Sequence, residues 1–162
     1  MNRLNRLIRA YTLLLQKQEI QMAYRGIMDY LGKLRAEFVR RYPQWEVGGL
    51  YQGYMDMSYF SIGSQALKEL GLKIALVYLH EKGCFEVWLS ARNRELARRY
   101  EAGWHVLELN GIAVHHEPDN PDAILEQTLV AEPDFEKTAW LTECLCQGVA
   151  QFMEAVRIHL SA

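Results

Sequence analysis

Residues 72–80 (LKIALVYLH) and 84–91 (CFEVWLSA) are two runs rich in aliphatic and aromatic residues, separated only by Glu81-Lys82-Gly83. Two such runs around a short connection are typical of a β-hairpin. Glycine in the connection supports this, because it adopts the left-handed backbone that a tight turn needs. The two runs therefore predict a β-hairpin, which is the clearest structural signal in the chain.

Helical segments lie on both sides of the hairpin. Apolar residues recur at helical spacing over residues 3–17 and again over about 19–41. After the hairpin, Asp134 can cap a long final helix whose apolar stripe runs from Leu141 to Leu160. Stripes this wide are typical of helices that bury one face in a core.

The remaining segments predict further strands and one more helix. Residues 51–60 alternate as a strand, and Asn93 can cap a helix that continues to Asn110-Gly111. A hairpin that turns at Asn110-Gly111 is the alternative. Residues 112–116 predict a short strand, while residues 123–130 (AILEQTLV) fit either a helix or a strand. The resulting order, α-α-β-β-β-α-β-α, predicts an α+β fold with helices packed on a mainly antiparallel sheet.

Composition and charge describe a globular chain with a strong charge gradient. Half of its 162 residues are hydrophobic, and its net charge is −2. Residues 1–41 hold nine Lys and Arg against three Asp and Glu, whereas residues 104–162 hold two against ten. We expect the basic N-terminal helices to lie beside the acidic C-terminal helix, within one chain or between copies. Nucleic-acid binding through Arg3, Arg6 and Arg9 is less expected, because such domains are usually far more basic.

The sequence predicts a cytoplasmic protein that forms one domain over residues 1–162. No repeat or linker divides the chain. No apolar run reaches the roughly 18 residues needed to span a bilayer, so no membrane association is expected. Arginines interrupt the apolar N-terminus, unlike a secretory signal. Three cysteines cannot pair completely, which fits the reduced thiols of a cytoplasm.

The common catalytic and cofactor motifs are missing from the sequence. It contains no G-x-S-x-G, no G-x-G-x-x-G, no Walker loop, no H-E-x-x-H and no C-x-x-C, so no cofactor is predicted. The cluster His115-His116-Glu117, with Asp119 and Asp122 nearby, mixes imidazole and carboxylate groups. On a strand only His115 and Glu117 would share a face, and a catalytic zinc site usually takes three ligands. No metal site is therefore predicted.

The core order α-β-β-β-α-β resembles that of restriction-endonuclease-like nucleases, whose active-site strand carries E-x-K beside Mg²⁺. The nearest match here is Glu86-Val87-Trp88, which has tryptophan at the lysine position. An active nuclease is therefore not expected, although a degenerate relative of that fold stays open.

Three segments resemble an uncharacterised family of bacterial hypothetical proteins: 51–57 (YQGYMDM), 72–75 (LKIA) and 85–89 (FEVWL). The likeness extends through Pro133-Asp134-Phe135 into the last helix, and so covers the chain from about residue 20 to its end. The resemblance implies a bacterial, cytoplasmic context. It transfers no activity and no site residue.

The parity of the hairpin predicts where a site would lie. A three-residue connection would place Tyr78 opposite Glu86 and His80 opposite Cys84. One face would then be wholly apolar and form the core: Ala75, Val77, Leu79, Phe85, Val87, Leu89 and Ala91. The other face would collect the ligand-binding candidates Tyr78, His80, Glu86 and Trp88, with Asp56 from the neighbouring strand. Aromatic walls with a few polar groups suit a ligand pocket, and equally suit a covered face on which Glu86 is paired.

Arg94 and Arg98 are candidate anion ligands, because they lie one helical turn apart just beyond the hairpin. The function that we expect is a non-catalytic binding or interaction domain that forms a homo-oligomer through its N-terminal helices. One alternative is a small-molecule enzyme that uses Tyr78, His80 and Glu86 for acid–base chemistry. The other is an accessory nucleic-acid binder that uses Arg3, Arg6, Arg9, Arg94 and Arg98. The sequence identifies no small-molecule ligand.

Overall fold

The computed structural model describes residues 2–101, 104 and 108–161, and its elements follow the predicted α+β order. They are α1 (Arg3–Gln16), α2 (Glu19–Arg41), β1 (Glu46–Val47), β2 (Met57–Gly63), α3 (Gln65–Glu69), β3 (Leu72–Leu79), β4 (Cys84–Ala91), α4 (Arg94–Glu101), β5 (Glu108–Leu109), β6 (Ile112–Ala113), β7 (Leu125–Val130) and α5 (Thr138–Ser161). When the short elements β1, α3, β5 and β6 are set aside, the predicted order is confirmed.

Five of the strands form one antiparallel sheet in the order β1-β2-β3-β4-β7. The ambiguous stretch 123–130 therefore supplies a strand. Asn110 and Gly111 both have positive φ and form the turn between β5 and β6, so the hairpin alternative is correct there. The predicted helix that Asn93 caps is present as α4, and the Oδ1 of Asn93 accepts a hydrogen bond from the Leu96 N–H at 2.8 Å. The part of that prediction on residues 102–103 and 105–107 lies outside the described residues.

The hydrophobic core lies between one face of the sheet, here called the helix face, and the helices α2 and α5. The helix face presents alternate residues of the strands, and each helix contributes its apolar stripe. The largest fully buried side chains include Phe38 of α2, Phe60 of β2, Phe85 of β4 and Phe152 of α5. Burying an aromatic or aliphatic side chain of this size stabilises the fold by about 1.5–3 kcal/mol.

The register of the β3–β4 hairpin differs by one residue from the prediction. Leu79 pairs with Cys84, so four residues connect the strands, and Gly83 takes the left-handed conformation with a φ of 63°. The predicted pairing of Tyr78 with Glu86 is therefore wrong, as is that of His80 with Cys84. The physical reason is the turn, because the length of a hairpin connection fixes the register of both strands.

This shift turns every β3 side chain to the face opposite to the predicted one. Tyr78 lies on the helix face together with Phe85. Ala75 and Val77 lie on the other face of the sheet, called the outer face, and pack with Trp88. The β4 assignment is confirmed, but the combination of Tyr78 with Glu86 on one face is wrong.

The loop of residues 117–123 packs on the outer face at its β4–β7 side. His115 pairs with Glu126 through both backbone hydrogen bonds, which places the chain beside β7 at the edge of the sheet. The chain then returns to the sheet, where Ala123 is buried on the outer face against Trp88 and its neighbours.

No helix in the described part of the chain is long and apolar enough to cross a membrane.

Candidate functional site

Two buried glutamates organise the outer face where β4 and β7 meet. Glu86 of β4 is only 4% exposed. Its Oε1 accepts a hydrogen bond from the indole Nε1 of Trp88 at 2.9 Å, and its Oε2 accepts one from the Thr128 hydroxyl at 3.3 Å. Both partners lie on the same face, so the Glu86 carboxylate is already hydrogen-bonded within the sheet.

Glu126 of β7 is completely buried and holds the 117–123 loop onto the sheet. Its Oε1 accepts from the side chain of Asn120 at 2.9 Å and from the backbone N–H of Glu117 at 3.3 Å. Its Oε2 lies 3.3 Å from the Nδ1 of His116, whose Nε2 lies 2.9 Å from a carboxylate oxygen of Glu101. Burial raises the pKa of the Glu126 carboxyl. The hydrogen bonds from Asn120 and the Glu117 backbone, together with the nearby imidazoles of His116 and His115, only partly oppose this effect.

A cavity of about 390 Å³ opens on the outer face beside these glutamates. Its floor includes the small side chain of Ala75, which lies opposite Trp88 in the β3–β4 ladder. Its walls include the rings of Tyr51 and Tyr59, whose centroids are 5.0 Å apart. This volume lies within the range of small-molecule sites, which are mostly lined by aromatic and apolar side chains. We refer to it as the outer-face cavity.

Cationic side chains border the outer-face cavity at the start of α4 and on β3. The Nε of Arg94 lies 3.4 Å from the carboxylate of Asp122, and Asp122 closes one side of the cavity. Lys73 and Arg92 also line the cavity, and within the described part of the chain neither forms an ion pair. The predicted anion ligand Arg98 is exposed and turns its Nε towards the backbone of Arg94, outside the cavity lining.

The candidates His80 and Asp56 lie at the other end of the sheet. The Nε2 of His80 is 2.8 Å from the Ser58 hydroxyl, and its ring stacks on Tyr24 of α2. The Ser58 hydroxyl donates to the backbone carbonyl of Gln52, so His80 acts as the donor to Ser58. Burial lowers the pKa of His80. These bonds hold the loop of residues 52–57 against β3. The Ser58 hydroxyl already donates its proton to Gln52, so His80 does not accept it.

Asp56 is exposed and its carboxylate is occupied by the backbone. It accepts from the N–H of Tyr54 at 3.0 Å, and backbone N–H groups of Met57 and Tyr54 hold the pKa of the carboxyl below its usual value. The side chain of Asp56 therefore shapes the turn before β2. It reaches neither Glu86 nor Trp88 on the outer face.

Tyr78 is buried in an aromatic cluster on the helix face. Its ring contacts Phe85 at 5.0 Å and Phe135 at 5.8 Å between centroids. Burial raises the pKa of its hydroxyl. Tyr78 and His80 are thus separated from Glu86 by the sheet itself. The predicted acid–base grouping of these three residues does not form.

The histidine cluster near residue 115 binds carboxylates. His116 bridges Glu126 and Glu101, and the Nε2 of His115 lies 4.0 Å from Glu86. Among residues 2–101, 104 and 108–161, no three His, Cys, Asp or Glu side chains are close enough to hold a metal ion. The cluster joins the loop to the two buried glutamates.

Sequence reasoning missed Glu126 and Lys73, although each had a signal. Glu126 is the only charged residue of AILEQTLV, and assignment of this stretch as a strand would have turned its side chain away from Leu125. Lys73 would have joined Trp88 on the outer face if the connection of the hairpin had been read as four residues. Both omissions follow from the unresolved secondary structure and register.

Comparison with known proteins identifies one family. A family model described as "Domain of unknown function (DUF7000)" matches residues 4–160. No curated protein and no solved structure matches the chain. This match agrees with the resemblance of segments 51–57, 72–75 and 85–89, which implied an uncharacterised family.

Proposed function

The chain belongs to the DUF7000 family, and we propose that it is a non-catalytic interaction domain that associates with a second copy of itself through α1. The observation that carries this proposal is the exposure of the apolar stripe of α1. No residue of this helix is buried. The stripe consists of Leu4, Leu7, Ile8, Tyr11 and Leu14, each between 50% and 63% exposed.

Such a stripe needs a partner on physical grounds. A helix of 14 residues is marginal by itself in water, and most helical stability in proteins comes from packing of the apolar face. Arg3 in the first turn adds to the cost, because a cation is unfavourable beside the positive end of the helix dipole. Contiguous exposed apolar surface of this kind is typical of an interaction site.

Charge favours a second copy of this chain as the partner. Residues 2–18 carry Arg3, Arg6, Arg9 and Lys17 and no acidic residue. None of these four forms an ion pair within the described residues. The acidic residues needed to balance them are concentrated in the C-terminal part of the same sequence, around the start of α5. A basic α1 that meets this acidic surface on another copy would be electrostatically complementary.

The receiving surface that we propose is the groove between α2 and α5. This groove encloses about 900 Å³, and small and apolar side chains, among them Ala23, Gly26, Ile27 and Ala139, line part of it. Charged side chains of both signs line the rest: Asp29, Lys33, Glu37, Arg40, Arg41 and Glu143. Next to it lies Trp140, which is 53% exposed, beside Glu132, Asp134 and Glu136. Reciprocal docking of α1 in the groove of the partner would make a closed two-fold dimer, the commonest symmetry of soluble oligomers.

The proposal includes a cytoplasmic location and a single cooperative domain. Cys84, Cys144 and Cys146 are all free, which is the usual state of thiols in a reducing compartment. The helix face, α2 and α5 share one continuous core cluster, so we expect them to unfold together. Binding to nucleic acid is not part of the proposal.

Sedimentation equilibrium of the full chain tests this function. We expect the wild type to have twice the monomer mass of 18.8 kDa at concentrations of about 10–100 µM, a range that detects micromolar association. The double variant Leu7→Glu, Leu14→Glu should be monomeric, because charges on the stripe cannot be buried without a partner. The matched control is Leu70→Glu, which changes an exposed leucine outside α1.

A wild type that stays monomeric over this range would contradict the proposal. A dimer that persists in the double variant would exclude α1 as the contact. If the monomeric wild type binds anionic vesicles or nonspecific DNA, and the double variant or removal of the α1 arginines abolishes this binding, a membrane or a nucleic acid would replace the second copy as the partner.

A further inference from the structure

We propose that the outer-face cavity binds a small anionic molecule that carries one planar aromatic ring system, with the ring system between the aromatic walls and the anionic group on the lysine and arginines. The cavity lies on the sheet face opposite to α2 and α5, so it is separate from the α1 contact. Its chemistry can therefore be tested independently of the oligomeric state.

The aromatic walls explain why the ligand would carry a ring. Tyr59 and Trp88 project from β2 and β4 on either side of β3, where Ala75 provides a small side chain between them. Tyr51 extends the wall, since its backbone pairs with that of Tyr59. Flat aromatic faces around a depression of this kind favour stacking with a planar group.

The cations explain why the ligand would be an anion. Lys73 is half-buried on β3, and a lysine in this position loses hydration without gaining a carboxylate partner among the described residues. Arg92 directly follows β4 and its side chain packs against Gly71. Its Cδ and Nε each lie 3.5 Å from the place where a Cβ on Gly71 would stand. Three cations, Lys73, Arg92 and Arg94, face one acidic residue, Asp122, around the cavity. A phosphate or carboxylate would balance this excess by charge-assisted hydrogen bonds.

The surrounding loop explains why the ligand would be small. Pro121 and Asp122 close the side of the cavity next to β7, and the backbone carbonyl of Asp122 accepts from the Ser90 hydroxyl at 2.7 Å. The same loop is held from below by the bond between Asn120 and Glu126. A chain of nucleotides would need an open path along the surface, whereas a volume of about 390 Å³ suits a single aromatic ring system with its anionic group.

Isothermal titration calorimetry with defined probes tests the proposal. The probes are nucleoside monophosphates (AMP, GMP and UMP), aryl carboxylates (salicylate and indole-3-acetate), and the two halves of one probe, adenosine and inorganic phosphate. We expect at least one intact probe to bind with a Kd below about 1 mM. Adenosine and inorganic phosphate should each bind at least about 10-fold more weakly than AMP. Binding should be unchanged in the Leu7→Glu, Leu14→Glu variant.

Three variants assign the binding to the cavity. Lys73→Gln and Arg92→Gln should each raise the Kd of the intact probe by about 10-fold, as expected for the loss of one hydrogen bond to a charged group. Tyr51→Ala removes a wall residue that is 44% exposed, so the fold should be retained while the affinity for the ring falls. The matched control Lys137→Gln removes an exposed lysine that does not line the cavity and should leave binding unchanged. Circular dichroism verifies that each variant is folded.

Three results would overturn the proposal. The first is that no probe in the panel binds with a Kd below about 1 mM. The second is that probe binding survives in all three folded cavity variants. The third is that a single-stranded RNA of ten nucleotides binds more than about 100-fold more tightly than any single probe and with a steep salt dependence. That result would make the surface part of a longer nucleic-acid path.

Discussion

The side chain of Asn120 donates a hydrogen bond of 2.9 Å to the fully buried carboxylate of Glu126. Asn120 belongs to the loop that closes the outer-face cavity, and Glu126 belongs to β7 of the sheet beneath it. This bond therefore connects the rigid part of the fold with one wall of the proposed ligand site. Because Glu126 is buried with a raised pKa, its ionisation affects the stability of the fold.

Replacement of Glu126 by glutamine should increase stability at neutral and alkaline pH. A raised folded-state pKa means that the protonated carboxyl is favoured by folding, and this contribution is lost as pH rises through the folded-state pKa. Glutamine stays neutral and can still accept from Asn120 and from the backbone of Glu117. Urea unfolding should give Glu126→Gln a higher free energy of unfolding than the wild type near about pH 8. This difference in free energy should become smaller as the pH falls towards the ordinary glutamate pKa of 4.5.

The matched control is Glu117→Gln, which changes an exposed neighbouring carboxylate. This control should show no such difference between neutral and acidic pH. A Glu126→Gln protein that is less stable than the wild type at every pH would mean that the ionised carboxylate stabilises the loop, contrary to the direction that burial gives.

His80 should have the opposite effect on the pH dependence of stability. Its folded-state pKa is lowered by burial, so protonation is more favourable in the unfolded chain. Stability is therefore lost as pH falls below the ordinary histidine value of 6.5 towards the folded-state pKa. His80→Gln, whose amide can still donate to Ser58, should show a smaller loss of unfolding free energy between about pH 7.5 and pH 5.5. If the free energy of unfolding falls equally between these pH values in His80→Gln and in the wild type, His80 does not contribute to the loss.

Truncation of Phe85 should strongly destabilise the protein. Its ring is fully buried on the helix face, at 5.0 Å from Tyr78 and 6.1 Å from Tyr30 between centroids. Phe85→Ala should reduce the free energy of unfolding by about 3–5 kcal/mol through lost burial and a cavity. Urea denaturation, which we expect to follow one transition, measures this loss. Phe85→Leu, which keeps much of the volume, should cost less than about 1.5 kcal/mol, and equal losses would contradict the packing argument.

Substitutions of Glu86 should separate its hydrogen-bonding role from its charge. Glu86→Ala leaves the buried indole N–H of Trp88 without its acceptor and should cost about 1–3 kcal/mol. Glu86→Gln keeps an oxygen for Trp88 and an amide next to the Thr128 hydroxyl, so its cost should stay below about 1 kcal/mol. Denaturation of the two variants side by side measures the difference. A Glu86→Gln protein as unstable as Glu86→Ala would show that the charge itself is required.

The sequence by itself determined the elements and most of their order. The hairpin of 72–91, the helices that became α2 and α5, and the cap at Asn93 depend on local patterns that short stretches of chain carry. The parity of β4 was also correct, since alternation along one strand needs no partner. For the same reason Glu86 and Trp88 were correctly placed on a common face.

Only the tertiary structure decided the register and the site. One extra residue in the connection moved Tyr78 to the helix face and brought Ala75 and Lys73 to the outer face, because alternation reverses with a shift of one. The outer-face cavity then arises from residues far apart in sequence, such as Tyr51 and Asp122. Their proximity depends on the order of strands in the sheet and on the path of the loop, and both are set by long-range packing rather than by local periodicity.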